Sequence, residues 1–386
     1  MRFVIINGPN LNLIGTRSPE IYGSTTLQEL DDACRGWAAE VGSEVETFQS
    51  NHEGDIIDRL HAACDADGVV INPGAFTHYS YAIRDAIDAI GIPTVEVHIS
   101  NVRDREPWRR ISVVSEVCVA TIFGRGVLGY RDGVRHLTAR AAWPVETITY
   151  GPDADNVGDL RIPRGEGPHP VAVLIHGGFW RNTAARDLLD MAAVDLTRRG
   201  WATWNIEFVR VGSGGGWRAT TNDVALAVSS LGDFADGHEL DLDRVVLIGH
   251  GSGGHLALQA AAGIREVPIA AVAALAPIGD LQAAHDAGVG NGAVEAFMRR
   301  TPDQSPERNA AASPIKNLPI GVPLLIVHGD EDELIPVAIS RSFAGRAADD
   351  GDTVIYHELE GVGHDALVNP ASAAWEKVVD EIDRLR

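Results

Sequence analysis

The hydrophobic and polar positions of the chain fall into two successive series of alternating elements. In the first 140 residues, short β-branched runs alternate with segments that carry apolar residues at helical spacing, such as residues 26–41 and 79–90. The predicted strands of this series are residues 3–6, 44–49, 68–71, 94–99 and 117–123. Because strands that alternate with helices favour a doubly wound parallel sheet, the first series predicts an open α/β domain.

This regular pattern is interrupted between residues 144 and 170, which are rich in Pro, Gly and Asp and contain one predicted strand, residues 146–150. A second series then begins, with no repeat that relates it to the first. Its predicted strands are residues 171–175, 202–208, 244–248, 270–275, 323–327 and 353–358. We therefore predict two α/β domains, residues 1–142 and residues 143–386.

The composition fits a globular protein that stays out of the membrane. Of the 386 residues, 45% are hydrophobic and 22% are charged, which is enough for two packed cores. No apolar run reaches the ~18 residues of a membrane helix, and the first predicted strand begins at Phe3, too early for a signal peptide. We expect a cytoplasmic protein. The three cysteines, Cys34, Cys64 and Cys118, are too far apart for a disulfide framework or a zinc site.

The acidic net charge of the chain favours a small-molecule substrate. The formal net charge is −22, with −6 before residue 143 and −16 from there on. Such an acidic chain is poorly suited to nucleic acids or anionic membrane surfaces. We therefore predict a small-molecule substrate, no nucleic-acid partner and no membrane partner.

Polar residues follow the predicted strands of the first series, where the carboxyl ends of parallel strands form a ligand-binding edge. Because side chains alternate along a strand, Glu96, His98 and Ser100 share one face, and Glu96 is placed to orient the His98 ring. This arrangement predicts a proton-transfer site. The polar residues at this edge are Asn7, Asn10, Arg17, Tyr22, Asn72, His78, Glu96, His98 and Ser100.

Five ordered motifs run through the first series. They are NGPNL at residues 7–11, Arg17 followed by YG at 22–23, QSNHEG at 49–54, NPG at 72–74 with His78, and EVHISNV at 96–102 ahead of Arg109. From residue 1 to about 137, the chain thereby resembles the type II 3-dehydroquinate dehydratase family. The resemblance implies a flavodoxin-like fold and elimination of water from 3-dehydroquinate to give 3-dehydroshikimate. It also implies no cofactor or metal, and a homo-oligomer, which in that family is a dodecamer.

The chemistry explains the residue types. Removing a proton next to a ketone needs a base stronger than a carboxylate, and a tyrosinate serves if a cation lowers its pKa of ~10. The resemblance assigns Tyr22 as this base, Arg17 as its activator, Asn10 as an oxyanion donor and His98 as the acid. It further implies substrate contacts from Asn72, His78, Ile99, Ser100 and Arg109, and from Asp85 of a neighbouring subunit.

The second series carries a different set of motifs. They are HGGFW at residues 176–180, GHGSGGH at 249–255 after a hydrophobic strand, HGDED at 328–332, and His364. From about residue 145 to 386, they resemble the α/β-hydrolase fold, in particular its esterase and kynurenine-formamidase-like branch. The resemblance implies that Gly177 and Gly178 offer oxyanion-hole amides, Asp332 is the triad acid and His364 is the triad base.

The nucleophile is where the second series departs from this family. Aligning the G-x-S-x-G elbow on Gly249 and Gly253 puts Gly251 where the serine belongs, and Ser252 comes one residue late. We expect Ser252 not to act as nucleophile and the other site residues to be remnants. Two alternatives stay open: an esterase or formamidase activity of this half is the selected function, or this half is a non-catalytic scaffold.

Overall fold

The computed structural model describes residues 1–16, 23–102 and 105–385. The chain divides into two compact units, Met1–Ala142 and Trp143–Arg386. Each unit has its own sheet and its own hydrophobic clusters. A search of the described residues finds no helix with the length and apolar character that a bilayer crossing requires.

The first unit contains a five-stranded parallel sheet with the order β2-β1-β3-β4-β5. This is the flavodoxin-like order, so the predicted fold is confirmed. The fifth strand is shorter than predicted, because residues 115–117 form a 3₁₀ turn before it. The strands are β1 (Arg2–Asn7), β2 (Glu44–Gln49), β3 (Gly68–Asn72), β4 (Thr94–His98) and β5 (Ala120–Phe123).

Helices cover the first sheet, and its buried side chains form two apolar clusters. Thr26 and Glu29 form a capping box at the first helix, and the Ser80 side chain caps the third. Along β1, Phe3 and Ile5 belong to one cluster and Val4 and Ile6 to the other, as strand alternation requires. The helices are α1 (Leu27–Glu40), α2 (Glu53–His61), α3 (Tyr81–Ile90) and α4 (Leu128–Ala142).

The second unit contains an eight-stranded sheet with the order β13-β12-β11-β10-β8-β9-β7-β6. Within it, β7 runs antiparallel to both of its neighbours, and the remaining pairs are parallel. The strands are β6 (Glu146–Thr149), β7 (Val157–Arg161), β8 (His169–Ile175), β9 (Ala202–Ile206), β10 (Leu240–His250), β11 (Ile269–Leu275), β12 (Leu324–Gly329) and β13 (Val354–Leu359).

Strand β7 corrects the sequence-based prediction of one strand between residues 144 and 170. The hydrophobic pattern did not indicate this strand, because charged residues such as Asp159 and Arg161 are typical of loops. Both are buried. Arg186 Nε donates to Asp159 Oδ2 at 2.9 Å, and Arg161 Nη2 donates to Asp190 Oδ1 at 3.0 Å. These ion pairs make the buried strand possible.

Helices lie between the strands of the second unit. The helix after β10 starts at Ser252, directly behind Gly251. The helices are α5 (Asp190–Arg198), α6 (Trp217–Ser229), α7 (Leu231–Phe234), α8 (Ser252–Gly263), α9 (Leu281–Asp286), α10 (Ala293–Met298), α11 (Pro306–Ala312), α12 (Val337–Asp349) and α13 (Ala373–Asp383).

Candidate functional site

A cavity opens at the carboxyl edge of the first sheet. The edge is formed by the ends of β1, β3 and β4, which include the point where the strand order reverses. Seven of the predicted site residues line this cavity, so the fold brings them together. They are Asn10, Asn72, His78, His98, Ile99, Ser100 and Arg109.

His98, the last residue of β4, is oriented by a buried carboxylate. Its Nε2 donates to Glu96 Oε1 at 2.8 Å, as the strand alternation predicted. Glu96 also accepts from Ser112 Oγ at 3.0 Å and from Thr77 Oγ1. Burial alone would raise the pKa of Glu96, but the hydrogen bonds from His98, Thr77 and Ser112 outweigh it and the pKa is lowered. The histidine therefore faces a fixed negative charge.

Asn72 is held by two linked hydrogen bonds that the sequence did not predict. The Tyr130 hydroxyl accepts from Asn72 Nδ2 at 2.8 Å and donates to Asn7 Oδ1 at 2.7 Å. Asn7 and Asn72 are direct partners in the β1–β3 register, which puts both within reach of one hydroxyl. Tyr130 lies on α4, 58 residues after Asn72, so local spacing gives no signal for this contact.

His78 and Arg109 are fixed on the rim by their neighbours. His78 Nδ1 donates to the Ile111 carbonyl at 2.7 Å, which leaves Nε2 for a ligand. Burial lowers the pKa of His78, so the ring is neutral near neutral pH. The Arg109 guanidinium lies over the Trp108 ring at 4.2 Å, with Glu106 3.0 Å from its Nε.

The other predicted site residues of the first unit are Asn10, Asp85, Arg17 and Tyr22. Asn10 adopts a left-handed conformation with φ 66°, and its N–H donates to Asn51 Oδ1 at 2.9 Å. Asp85 lies on α3 with an exposed side chain beside Arg84 and is not among the cavity-lining residues of the described chain. Arg17 and Tyr22 lie outside the described residues.

The second unit has a strand–turn–helix elbow at the end of β10. Gly251 sits at its apex with φ 58° and ψ −118°, a conformation that L side chains rarely adopt. A Cβ at Gly253 would lie 2.0 Å from the Ile175 carbonyl oxygen, so this second glycine lets the helix pack against β8. The elbow thus has the geometry of a nucleophile turn without a nucleophile.

The predicted acid and base of the second unit lie beside this apex. His364 Nδ1 donates to Asp332 Oδ2 at 2.6 Å. The other oxygen of Asp332 accepts the Leu334 and Ile335 amides at 2.8 and 2.9 Å. Burial would raise the pKa of Asp332, but hydrogen bonds from His328 and His364 outweigh it and keep the pKa far below its usual range. His328, to which the HGDED motif assigned no role, lies with its Nε2 3.1 Å from Asp332 Oδ2.

Ser252 and the Gly177–Gly178 loop also lie beside the elbow. The Ser252 hydroxyl is buried and accepts the Trp180 amide at 3.2 Å. A Cβ at Gly177 would lie 2.8 Å from the His250 carbonyl oxygen, so the loop packs against the end of β10. Gly178 has a φ of 100°. The structure therefore brings together the residues that the hydrolase motifs singled out.

The other histidines of this region form hydrogen bonds within the fold. His250 Nε2 donates to the His364 carbonyl at 3.1 Å, and burial together with the His364 ring lowers the pKa of His250 to about 3. His255 Nε2 donates to the Ala312 carbonyl at 2.9 Å, and His176 Nε2 to Glu207 at 2.9 Å. Within residues 1–16, 23–102 and 105–385, no three side chains converge as a metal site would require.

Fold and site define the first unit as a flavodoxin-like domain with a histidine that a buried carboxylate orients at the wall of a cavity. Residues 1–138 match the family model described as dehydroquinase class II. Catabolic 3-dehydroquinase 1 of Neosartorya fischeri is 56% identical over 135 residues, which cover 35% of this chain and 90% of that protein. The 3-dehydroquinate dehydratase of Thermotoga neapolitana is 57% identical over 130 residues, 34% of this chain and 89% of that protein. The chain belongs to the class II dehydroquinase family.

The second unit matches a separate family and fold. Residues 159–346 match the family model described as BD-FAE. A truncated carbohydrate esterase from gut microbiota has a TM-score of 0.56 and 19% identity, and the match covers 62% of this chain and 94% of that one. This likeness shows an α/β-hydrolase fold, so the predicted fold of the second half is confirmed.

Proposed function

We propose that the first unit removes water from 3-dehydroquinate to give 3-dehydroshikimate, with Tyr22 as base and His98 as acid. The observation that carries this proposal is the 2.8 Å hydrogen bond between His98 Nε2 and Glu96 Oε1 at the wall of a cavity lined by Asn10, Asn72 and Arg109. Family membership supplies the reaction.

The buried carboxylate suits His98 to act as an acid. An imidazole that donates from Nε2 to Glu96 donates from Nδ1 as well only when the ring is doubly protonated. Nδ1 then gives its proton to the departing hydroxyl, and the proton abstracted from carbon goes to a separate group, Tyr22.

The roles of Tyr22, Arg17 and Asn10 rest on the family motif. The Tyr22 phenolate removes the proton beside the ketone, and the Arg17 cation stabilises the phenolate. Asn10 and a water that it holds would then donate to the enolate oxygen. The chain's two lysines, Lys316 and Lys377, both lie in the second unit, so the first unit has no lysine for an imine route.

The rim residues suit a substrate with hydroxyl groups and a carboxylate. The neutral His78 offers Nε2 as an acceptor for a hydroxyl, and Asn72 offers an amide held in place by Tyr130. Arg109 binds the substrate from the rim, and Ser100 with the Ile99 and Ser100 amides binds its carboxylate. The exposed Asp85 fits a contribution to the site of a neighbouring subunit. We therefore propose a homo-oligomer formed through the first unit.

For the second unit, we propose a hydrolase fold that has lost catalysis by a serine nucleophile. The support is Gly251 at the elbow apex, together with the engagement of the Ser252 hydroxyl by the Trp180 amide. The alternatives are a selected esterase or formamidase activity and a non-catalytic scaffold. A serine-based activity requires a covalent intermediate in the protein as it stands, and a scaffold requires none.

The decisive experiment on the first unit is Tyr22→Phe in the full chain. Turnover is followed by the ultraviolet absorbance of the conjugated enone product. We expect turnover to be abolished while substrate still binds, because the ring stays and only the base is lost. Tyr356→Phe, which removes a hydroxyl bonded to Glu358 in the second unit, is the matched control. Full turnover of Tyr22→Phe, or borohydride trapping of substrate on the first unit, would overturn the proposal.

A further inference from the structure

The elbow of the second unit places the side chain of His364 beside Gly251, which has no side chain of its own. A Cβ at Gly251 would lie 3.1 Å from His364 Nε2 and 3.7 Å from Ile335 Cδ1. His364 Nε2 has no hydrogen-bond partner among the described residues, and the side chain is 11% exposed. The position of a serine Cβ at the apex is therefore next to the Nε2 atom of a partly exposed histidine side chain.

His364 has the hydrogen-bond support that a general base requires. The 2.6 Å bond from Nδ1 to Asp332 fixes the ring so that Nε2 faces the apex. Asp332 stays ionised because its oxygens accept from His328, His364 and two backbone amides. An imidazole supported in this way acts as a general base on whatever O–H group lies within hydrogen-bond reach.

We propose that His364, oriented by Asp332, holds a water molecule beside Gly251 and catalyses the hydrolysis of small activated esters without a covalent intermediate. This inference does not depend on the dehydratase proposal. A small acyl group is specified because Ile335 Cδ1 would lie only 3.7 Å from a Cβ at Gly251, which limits the room beside the apex. No acyl-enzyme forms, which separates this chemistry from that of a serine hydrolase.

The steps balance as a hydrolysis. His364 Nε2 takes a proton from water as the water oxygen bonds to the ester carbonyl carbon, and the carbonyl electron pair moves onto oxygen. The Gly178 and Ser252 amides, beside the elbow, are the donors for that oxyanion. When the carbonyl re-forms, the bond to the alkoxy oxygen breaks and His364 gives its proton to the leaving group. The products are an acid and an alcohol.

The experiment uses the full chain and p-nitrophenyl acetate, with release of p-nitrophenolate as the readout. Replacing the base by His364→Gln should lower kcat/KM by about 10²-fold, the low end for a general base. Gly251→Ala should lower it comparably, because its methyl group would lie 3.1 Å from His364 Nε2 and would keep water away from that nitrogen. The matched control is His238→Gln, which lies before the start of β10, whereas Gly251 follows its end. This control should keep the original rate.

The outcomes separate the possibilities. A linear time course, no labelling by a fluorophosphonate and a loss confined to the two site variants support water activation. Equal rates in the original protein and His364→Gln would overturn it, as would an equal loss in His238→Gln. A burst or a fluorophosphonate adduct would also overturn it, because it would reveal a nucleophile. Dehydration of 3-dehydroquinate by the same samples reports on the first unit, so the two proposals fail independently.

Discussion

Restoring the missing hydroxyl should turn the second unit into a serine esterase. We predict that Gly251→Ser forms an acyl-enzyme with p-nitrophenyl acetate. The Cβ of the new side chain would lie 3.1 Å from His364 Nε2, close enough for the hydroxyl to donate to that nitrogen. Because 3.1 Å is tighter than an ordinary contact, the histidine must retreat slightly for the hydrogen bond to form.

Two magnitudes follow from this geometry. Loss of the nucleophile of a complete triad costs about 10⁶ in kcat, so even a partly aligned serine should raise esterase turnover by about 10²-fold. The backbone at Gly251, with φ 58° and ψ −118°, strains any other residue. That strain costs about 1–3 kcal/mol, which lowers the melting temperature of a unit of this size by about 2–12 °C.

The assay combines stopped-flow detection of the burst with mass spectrometry of the fluorophosphonate adduct. The adduct should map to position 251, and it should persist when Ser252→Ala is added, because the Ser252 hydroxyl is bonded to Trp180. If Gly251→Ser keeps a cooperative melt but shows neither burst nor adduct, then Asp332 and His364 are not aligned on the apex. The inferences drawn from their geometry would then be wrong.

Three further predictions concern buried polar groups. Glu96→Gln should lower the dehydration kcat by about 10²-fold, measured by enone absorbance, because the His98 hydrogen bond loses its charged acceptor. Tyr130→Phe should raise KM by releasing Asn72, and should lower the unfolding free energy in urea by about 1–3 kcal/mol. Burial alone would raise the pKa of Glu207, but Arg210 and His176 lower it from 4.5 to about 2. The Glu207 carboxylate therefore stabilises the folded state above pH 4.5, and this stabilisation is lost as the pH falls towards 2. Glu207→Gln should therefore lower the unfolding free energy at pH 7 by about 3 kcal/mol and flatten its dependence over that interval.

Local pattern was sufficient for most strands and for the residues near their ends. Runs such as residues 44–49 and 171–175 are apolar or β-branched enough to be recognised alone, and the structure has strands there. The alternation along β4 was also sufficient to pair Glu96 with His98, because two residues on one strand face share their direction whatever packs around them. The catalytic roles of Tyr22 and Arg17 remain predictions.

Contacts between distant segments could not be predicted in this way. Strand β7 is buried only because Arg186 and Asp190, which are far along the chain, neutralise Asp159 and Arg161. Tyr130 reaches Asn7 across 123 residues, and Ser112 reaches Glu96 from a separate loop. The sequence by itself determined the two α/β series and the residue types at the strand ends, since these depend on neighbours along the chain. Only the tertiary structure decided which polar groups are buried together, because desolvation and ion pairing depend on neighbours in space.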